Sequence, residues 1–242
     1  MSRELTIGFS VYGQPSMLAY WFEQFLKQPA EWRALVEVVV VDDCGIPPAI
    51  VPNEPGIRLY RVMQDIPWNQ GGARNLVAHV AETPRLMLID PDMTLGEGML
   101  ENLVREARFL VPGLVFRPAL RHITTKELDH TSPNVHLVLR EDFSRLGGYD
   151  EDYCGHKGWS DVQLIRVMQA AMVSRRREDL WFWFHHGNKK LPDAQVVTLD
   201  RSVKHNKALH LRKMTILKQK GWREFVNTAL GKKLRFKWEK IQ

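Results

Sequence analysis

Two pairs of carboxylates stand directly behind apolar runs. Asp42 and Asp43 follow Val38–Val41, and Asp90 and Asp92 follow Leu86–Ile89. A carboxylate at the end of a buried run loses hydration unless it holds a cation or a ligand hydrogen bond. Two carboxylates one residue apart on a turn can reach a hard divalent ion and a ligand hydroxyl together. Magnesium and manganese take oxygen donors of this kind and commonly share their shell with substrate phosphates. The competing reading of Asp90-Pro91-Asp92 is a solvated turn, where Asp is common.

Three further groups could do chemistry. Gly71-Gly72-Ala73-Arg74-Asn75 opens a helical pattern, and free N–H groups at a helix start attract anions. It matches neither the P-loop nor the dinucleotide fingerprint, so small residues for close packing are the commoner reading. Gly147-Gly148-Tyr149-Asp150-Glu151 precedes Gly158-Trp159-Ser160-Asp161. There an indole can stack on the C–H face of a sugar while a carboxylate takes a hydroxyl proton; the alternative is a structural turn with a core Trp. His185 and His186 close an aromatic segment, Leu180–Phe184, and offer ring nitrogens to a metal, although a satisfied core or surface His is commoner.

These side chains need elements that converge. Thr6–Val11, Val36–Val41, Arg58–Val62 and Arg85–Ile89 read as strands, the second with the unbroken β-branched character of a strand buried on both faces. Met17–Leu26, a segment from Gly71 and another over about 97–110 have helical spacing. Such alternation predicts an open, mostly parallel α/β sheet flanked by helices, with right-handed crossovers. Ligands of such sheets bind beyond the carboxyl ends of the strands, where both aspartate pairs fall. The second half reads as strands at Val115–Pro118 and Asn134–Arg140, a loop over 146–161, a helix over Val162–Met172, the aromatic strand, and a basic helical tail.

The chain has 242 residues, with 44% apolar and 26% charged residues, which excludes disorder and disulfide scaffolds for the whole. Its two cysteines, the absence of an apolar run in the opening MSRELTIGF and the lack of any long apolar stretch predict a reduced, cytoplasmic protein without a spanning helix. Charge is uneven. Residues 201–242 carry 13 Lys/Arg against two acids, net +11, while the preceding 200 residues are net −5. A basic extension suits an anionic partner such as nucleic acid or a membrane surface, with peripheral attachment, or is simply a solvated helix.

The order Val-Val-Val-Val-Asp42-Asp43, then Asn69-Gln-Gly-Gly-Ala-Arg74-Asn75, then Leu-Ile-Asp90-Pro-Asp92 resembles nucleotide-sugar glycosyltransferases of the A-type (GT-A) fold, especially family 2. Leu146-Gly-Gly-Tyr-Asp150-Glu151 and Ser160-Asp161-Val-Gln-Leu164 resemble that family's Gly-Gly-aromatic-Asp-Glu and Glu-Asp-Val-Asp-Leu segments. Gly158-Trp159 followed by His185-His186 is similar to the C-terminal region of β-1,4-galactosyltransferases. The match covers Thr6 to Lys190. It departs at Ser160, where the family has Glu, and at Gln163, where it has Asp.

The resemblance implies a metal-dependent, inverting transfer from a UDP-linked sugar to an acceptor hydroxyl, and the charge of the tail points to an anionic acceptor: a glycan, a lipid-linked glycan or modified DNA. It implies donor contacts from Asp42, Asp43, Arg74, Asn75 and Asp90. Mn2+ or Mg2+ would lie on Asp92 with Asp90 and with His186 or His185, His205 being a rival. Asp161 would be the general base, with Trp159, Tyr149 and Asp150 on the acceptor. The catalytic domain is expected over 1–200, its donor half over 1–112 and acceptor half over 113–200, with a basic extension over 201–242. Sugar nucleotidyl transfer is the rival chemistry, and a nucleic-acid-binding protein with a degenerate core the rival class.

Overall fold

A computed structural model describes residues 2–129, 133–185, 190–191 and 199–242. The first half is β1 (Leu5–Val11), α1 (Pro15–Leu26), α2 (Ala30–Arg33), β2 (Val36–Asp42), β3 (Ile57–Val62), α3 (Gln70–Val80), β4 (Arg85–Leu88), β5 (Met93–Leu95) and α4 (Met99–Ala107). The second half is β6 (Leu114–His122), β7 (Leu128–Asp129), β8 (His136–Leu139), α5 (Arg140–Arg145), α6 (Ser160–Ala171), β9 (Val173–Phe184), α7 (Lys204–Thr228) and β10 (Trp238–Lys240). The strands form one sheet in the order β10-β3-β2-β1-β4-β8-β6-β9-β5, with β7 paired to β6. Strands β1, β2, β3, β4, β6 and β9 run one way and the others against them.

Every residue of β1 and β2 is buried, as their β-branched content predicts for central parallel strands. One core layer joins α1 and α4 to one face through Leu18, Trp21, Phe22, Leu100 and Val104; the other joins α3, α6 and α7 to the opposite face through Leu76, Val77, Leu164, Leu217 and Phe225. At Gly8 a Cβ would meet Val77 Cγ1 at 2.1 Å, so α3 seats on β1 only because residue 8 has no side chain. The chain runs outward from β1 to β2 to β3 and then returns to β4 on the other side of β1. That reversal opens a crevice beyond the carboxyl ends of β1, β2 and β4, with Asp43 and Asp90 on either side.

Two sequence expectations change in detail. Strand β9 begins at Val173, seven residues earlier than the aromatic run, because the polar stretch Ser174–Arg177 pairs with β6. The basic segment does not end as a helix: β10 pairs antiparallel with β3 and closes the sheet edge. Cys44 and Cys154 are free thiols, and no described helix is long and apolar enough to cross a membrane.

Candidate active site

Arg74 is the centre of the site. Helix α3 carries it beneath the crevice, fully buried. Its guanidinium donates to Tyr149 Oη at 2.6 Å, to Asp161 Oδ1 at 2.9 Å, to the Ile89 carbonyl at 3.3 Å and to Asp90 Oδ1. Burial alone would lower its pKa, but Tyr149, Asp90 and Asp161 together raise it. A fixed cation thus ties the turn after β4 to the first turn of α6, where Asp161 sits. Arg74, expected on the nucleotide, instead orients two carboxylates.

Asp90 is held on both oxygens. Gln70 Nε2 and Arg74 donate to Oδ1, and Asn134 Nδ2 donates to Oδ2 at 2.8 Å. Asp92 differs. It is 8% exposed, its Oδ1 is buried with no hydrogen-bond partner, and burial followed by the Asp90 charge pushes its carboxyl well above the usual range. A buried, unpartnered carboxylate oxygen beside a second carboxylate is stabilised by a cation. The chemistry of Asp92 with Asp90 therefore fits a divalent ion, although among the described residues no three His, Cys, Asp or Glu side chains converge as a complete shell.

His185 lies beside this turn. Its N–H donates to the Asp92 carbonyl at 2.9 Å, and its Nε2 shares a hydrogen with Thr94 Oγ1 at 2.8 Å. Burial lowers its pKa to about 4, so the ring is neutral. His186 lies outside the described residues. His205 stands on α7 with its ring stacked on His156 at 3.8 Å.

On the donor side, Asp42 accepts from the N–H groups of Gly45 at 2.8 Å and Ala49 at 3.0 Å and pairs with Arg61. It shapes the loop after β2. Asp43 accepts from Asn69 Nδ2 at 2.8 Å, and burial raises its pKa to about 7. Gly72, read as part of a phosphate cradle, is buried, and a Cβ there would come within 2.3 Å of Asn69 Oδ1 and 2.7 Å of Phe236. The packing reading of this glycine holds. Asn75 turns the same way: its side chain bonds both the N–H and carbonyl of Tyr149, and donates to Glu151 at 2.9 Å.

The Gly-Gly-Tyr-Asp-Glu segment faces inward as well. Tyr149 is 1% exposed and Asp150 is 2% exposed. Asp150 accepts from Gln163 at 2.9 Å and Gly231 at 3.0 Å and pairs with Lys213, which also reaches Asp152 at 2.7 Å. Glu151 accepts from Asn75 and from the N–H groups of Leu234 and Arg235. Tyr149 and Asp150, expected on the acceptor, thus belong to the interior, where the segment clamps residues 213–235 to the core. Sequence gave no sign of Lys213 as its partner, since a lysine in a basic helix looks solvated. Trp159 is only partly buried, adopts a positive φ of 71° and packs at 4.7 Å on His210.

No protein-family model matches the sequence, and no curated protein matches it. Solved structures do. The 1–349 fragment of TarS from S. aureus superposes with a TM-score of 0.65 at 12% identity, over 93% of this chain and 68% of that one. The mannosyltransferase PcManGT from Pyrobaculum calidifontis, solved with GDP-Man and Mn2+, gives 0.59 at 14% identity over 94% and 69%. GalNAc-T7, solved with UDP, GalNAc and Mn2+, gives 0.55 at 13% identity over 93% and 54%. The chain has the GT-A fold of nucleotide-sugar glycosyltransferases.

Proposed function

We propose that the chain is a glycosyltransferase that moves a sugar from a nucleoside diphosphate sugar to an acceptor hydroxyl with inversion. The observation that carries this reading is the buried Arg74 with Asp90 and Asp161 paired to it and the buried Asp92 next to Asp90, at the crevice of a fold whose solved examples include complexes with UDP-GlcNAc and with GDP-Man and Mn2+. Asp92, with Asp90, would hold a manganese or magnesium ion, which when bound neutralises charge developing on the departing diphosphate. Asp43 accepts hydrogen bonds from the nucleoside, and UDP is the first donor to test. Asp161 takes the proton from the acceptor hydroxyl as that oxygen attacks the anomeric carbon. Arg74 fixes the direction of Asp161 and keeps its carboxylate ionised against the desolvation that raises it.

The experiment is a panel of UDP- and GDP-sugars with Mn2+, read as nucleoside diphosphate release and as thermal stabilisation by the free diphosphate. A donor present at about ten times its dissociation constant stabilises by about 1.4 kcal/mol, which melting resolves. Asp92→Asn should abolish release and, independently, remove the stabilisation that Mn2+ alone gives. No release with any donor would overturn the reading, and pyrophosphate release from a nucleoside triphosphate would replace it with nucleotidyl transfer.

A further inference from the structure

Strand β9 has different neighbours along its length. Phe182–Phe184 pairs with β5 on its outer side, whereas Val173–Arg177 pairs only with β6 among the described residues. This open stretch is regular: Val173 to Arg177 lie opposite Leu114 to Pro118, and the register shifts only beyond them. The Val173 N–H donates to the Gly113 carbonyl at 2.8 Å, on the β6 side. Backbone groups alternate in direction along a strand, so those of Ser174 and Arg176 face outward, and all of Val173–Arg176 is exposed. Outward N–H and C=O groups on a sheet edge match the backbone of another extended polypeptide. A saccharide, a lipid headgroup or a nucleic acid offers no such ladder.

The side chains narrow the sequence of that polypeptide. Arg177 is already neutralised: it pairs with Glu106 of α4 and with Asp179, and its guanidinium lies 5.0 Å from the Phe116 ring centroid. Alternation then puts Val173 and Arg175 on the α4 face and Arg176 on the other. Neither Arg175 nor Arg176 has an ion pair among the described residues. Apolar surface gathers at the same corner. The Val111 carbonyl accepts from the N–H of Leu114, the β6 partner of Val173, at 3.1 Å. Val173, Val111 and the nearby Phe109 are 59%, 56% and 67% exposed. Arginines on an edge can serve only to keep other strands away, but such a guard has no use for three exposed apolar side chains beside it.

We propose that Val173–Arg177 is a docking edge that accepts one strand of a partner protein, with consecutive acidic residues opposite Arg176 and Arg175 and an apolar residue opposite Val173. The strand runs antiparallel, the more stable pairing, so the segment reads acid-acid-x-apolar. Its two carboxylates lie on opposite faces, one to each arginine, and its apolar side chain covers Val173, Val111 and Phe109. Strand β9 runs the same way as β1, β2 and β4, so Val173 stands at the end of the sheet away from the crevice. A partner held there leaves the crevice open.

The test uses the whole chain and a labelled peptide, Thr-Glu-Glu-Thr-Ile-Thr, read by fluorescence anisotropy at several salt concentrations. Its counterpart with Lys in place of Glu should bind about tenfold or more weakly, a difference that salt erodes. Methylation of alternate backbone nitrogens, which removes the ladder but keeps the charges, should weaken binding to a similar degree. Arg175→Gln with Arg176→Gln should weaken it at least about fivefold, whereas Lys218→Gln with Lys220→Gln on α7, an equal loss of charge, should not. Melting and circular dichroism confirm that both double variants fold; if the first does not, Arg176→Gln alone should still weaken binding. Absence of peptide binding would make the edge a guard and overturn the proposal. So would equal binding of the lysine peptide, indifference to methylation, or loss only with the α7 variant. A concentration-dependent dimer in sedimentation, abolished by Arg175→Gln with Arg176→Gln, would assign the edge to a second copy instead.

Discussion

Asp161 and Asp43 are both raised by burial, with different consequences. Asp161 titrates at about 6, lifted by burial and restrained by Arg74. A general base must be ionised, so turnover should be flat above that pH and fall about tenfold per unit below it. Asp161→Asn should lower kcat by roughly two to four decades and remove the bend, with donor affinity little changed, as a pH series of initial rates would show. A fall of tenfold or less would transfer the role to another group. Asp43 titrates at about 7 against 3.8 when unfolded, so the fold favours its protonated form. Its contribution to stability is complete below about pH 4 and is lost as pH rises through 7, by up to ~4 kcal/mol for a shift of that size. Asp43→Asn should therefore melt higher than the parent at pH 8, show no such advantage at pH 4, and bind the donor nucleoside diphosphate more weakly in titration calorimetry.

The Gly-Gly-Tyr-Asp-Glu segment and α7 act as one unit. Lys213 is 7% exposed and lies against Asp150, so removing its charge leaves a buried carboxylate without its counter-ion. Lys213→Met should cost about 3–5 kcal/mol in urea unfolding, the usual cost of breaking a buried pair on one side. By contrast Lys27→Met, in an exposed pair with Glu23, should cost under about 1 kcal/mol. This contrast also marks what sequence could and could not reveal. The strands ending in Asp42 and Asp90 were readable because apolar runs and their punctuation are local. So were α1 and α3. The inward turn of Tyr149 and Asp150 was not, since it depends on Lys213, Gly231 and Leu234, more than 60 residues away in the chain. Strand β9 was shortened for a similar reason: its arginines look like surface until β6 is known to lie beside them.

The positive charge of residues 201–242 is partly spent within the molecule, on Asp150 and Asp152 by Lys213 and on Asp152 by Arg235. The segment thereby holds together the parts that make the crevice. Asn206 donates to the carbonyls of Tyr153, His156 and Gly158 at 2.9, 2.6 and 3.0 Å, fixing the loop that leads into Asp161. Replacing Asn206 by Ala should loosen that loop, raising hydrogen exchange at 153–159 and KM for the acceptor more than KM for the donor. Strand β10 then covers β3, giving the outer parallel strand an antiparallel neighbour. There is a consequence for the order of events during synthesis. Residues 1–200 emerge with Glu151 lacking its Leu234 and Arg235 partners and with the flank of β3 bare. Until residues 231–240 have left the ribosome, a nascent chain presents an open strand edge to whatever chaperone or neighbouring polypeptide is nearby.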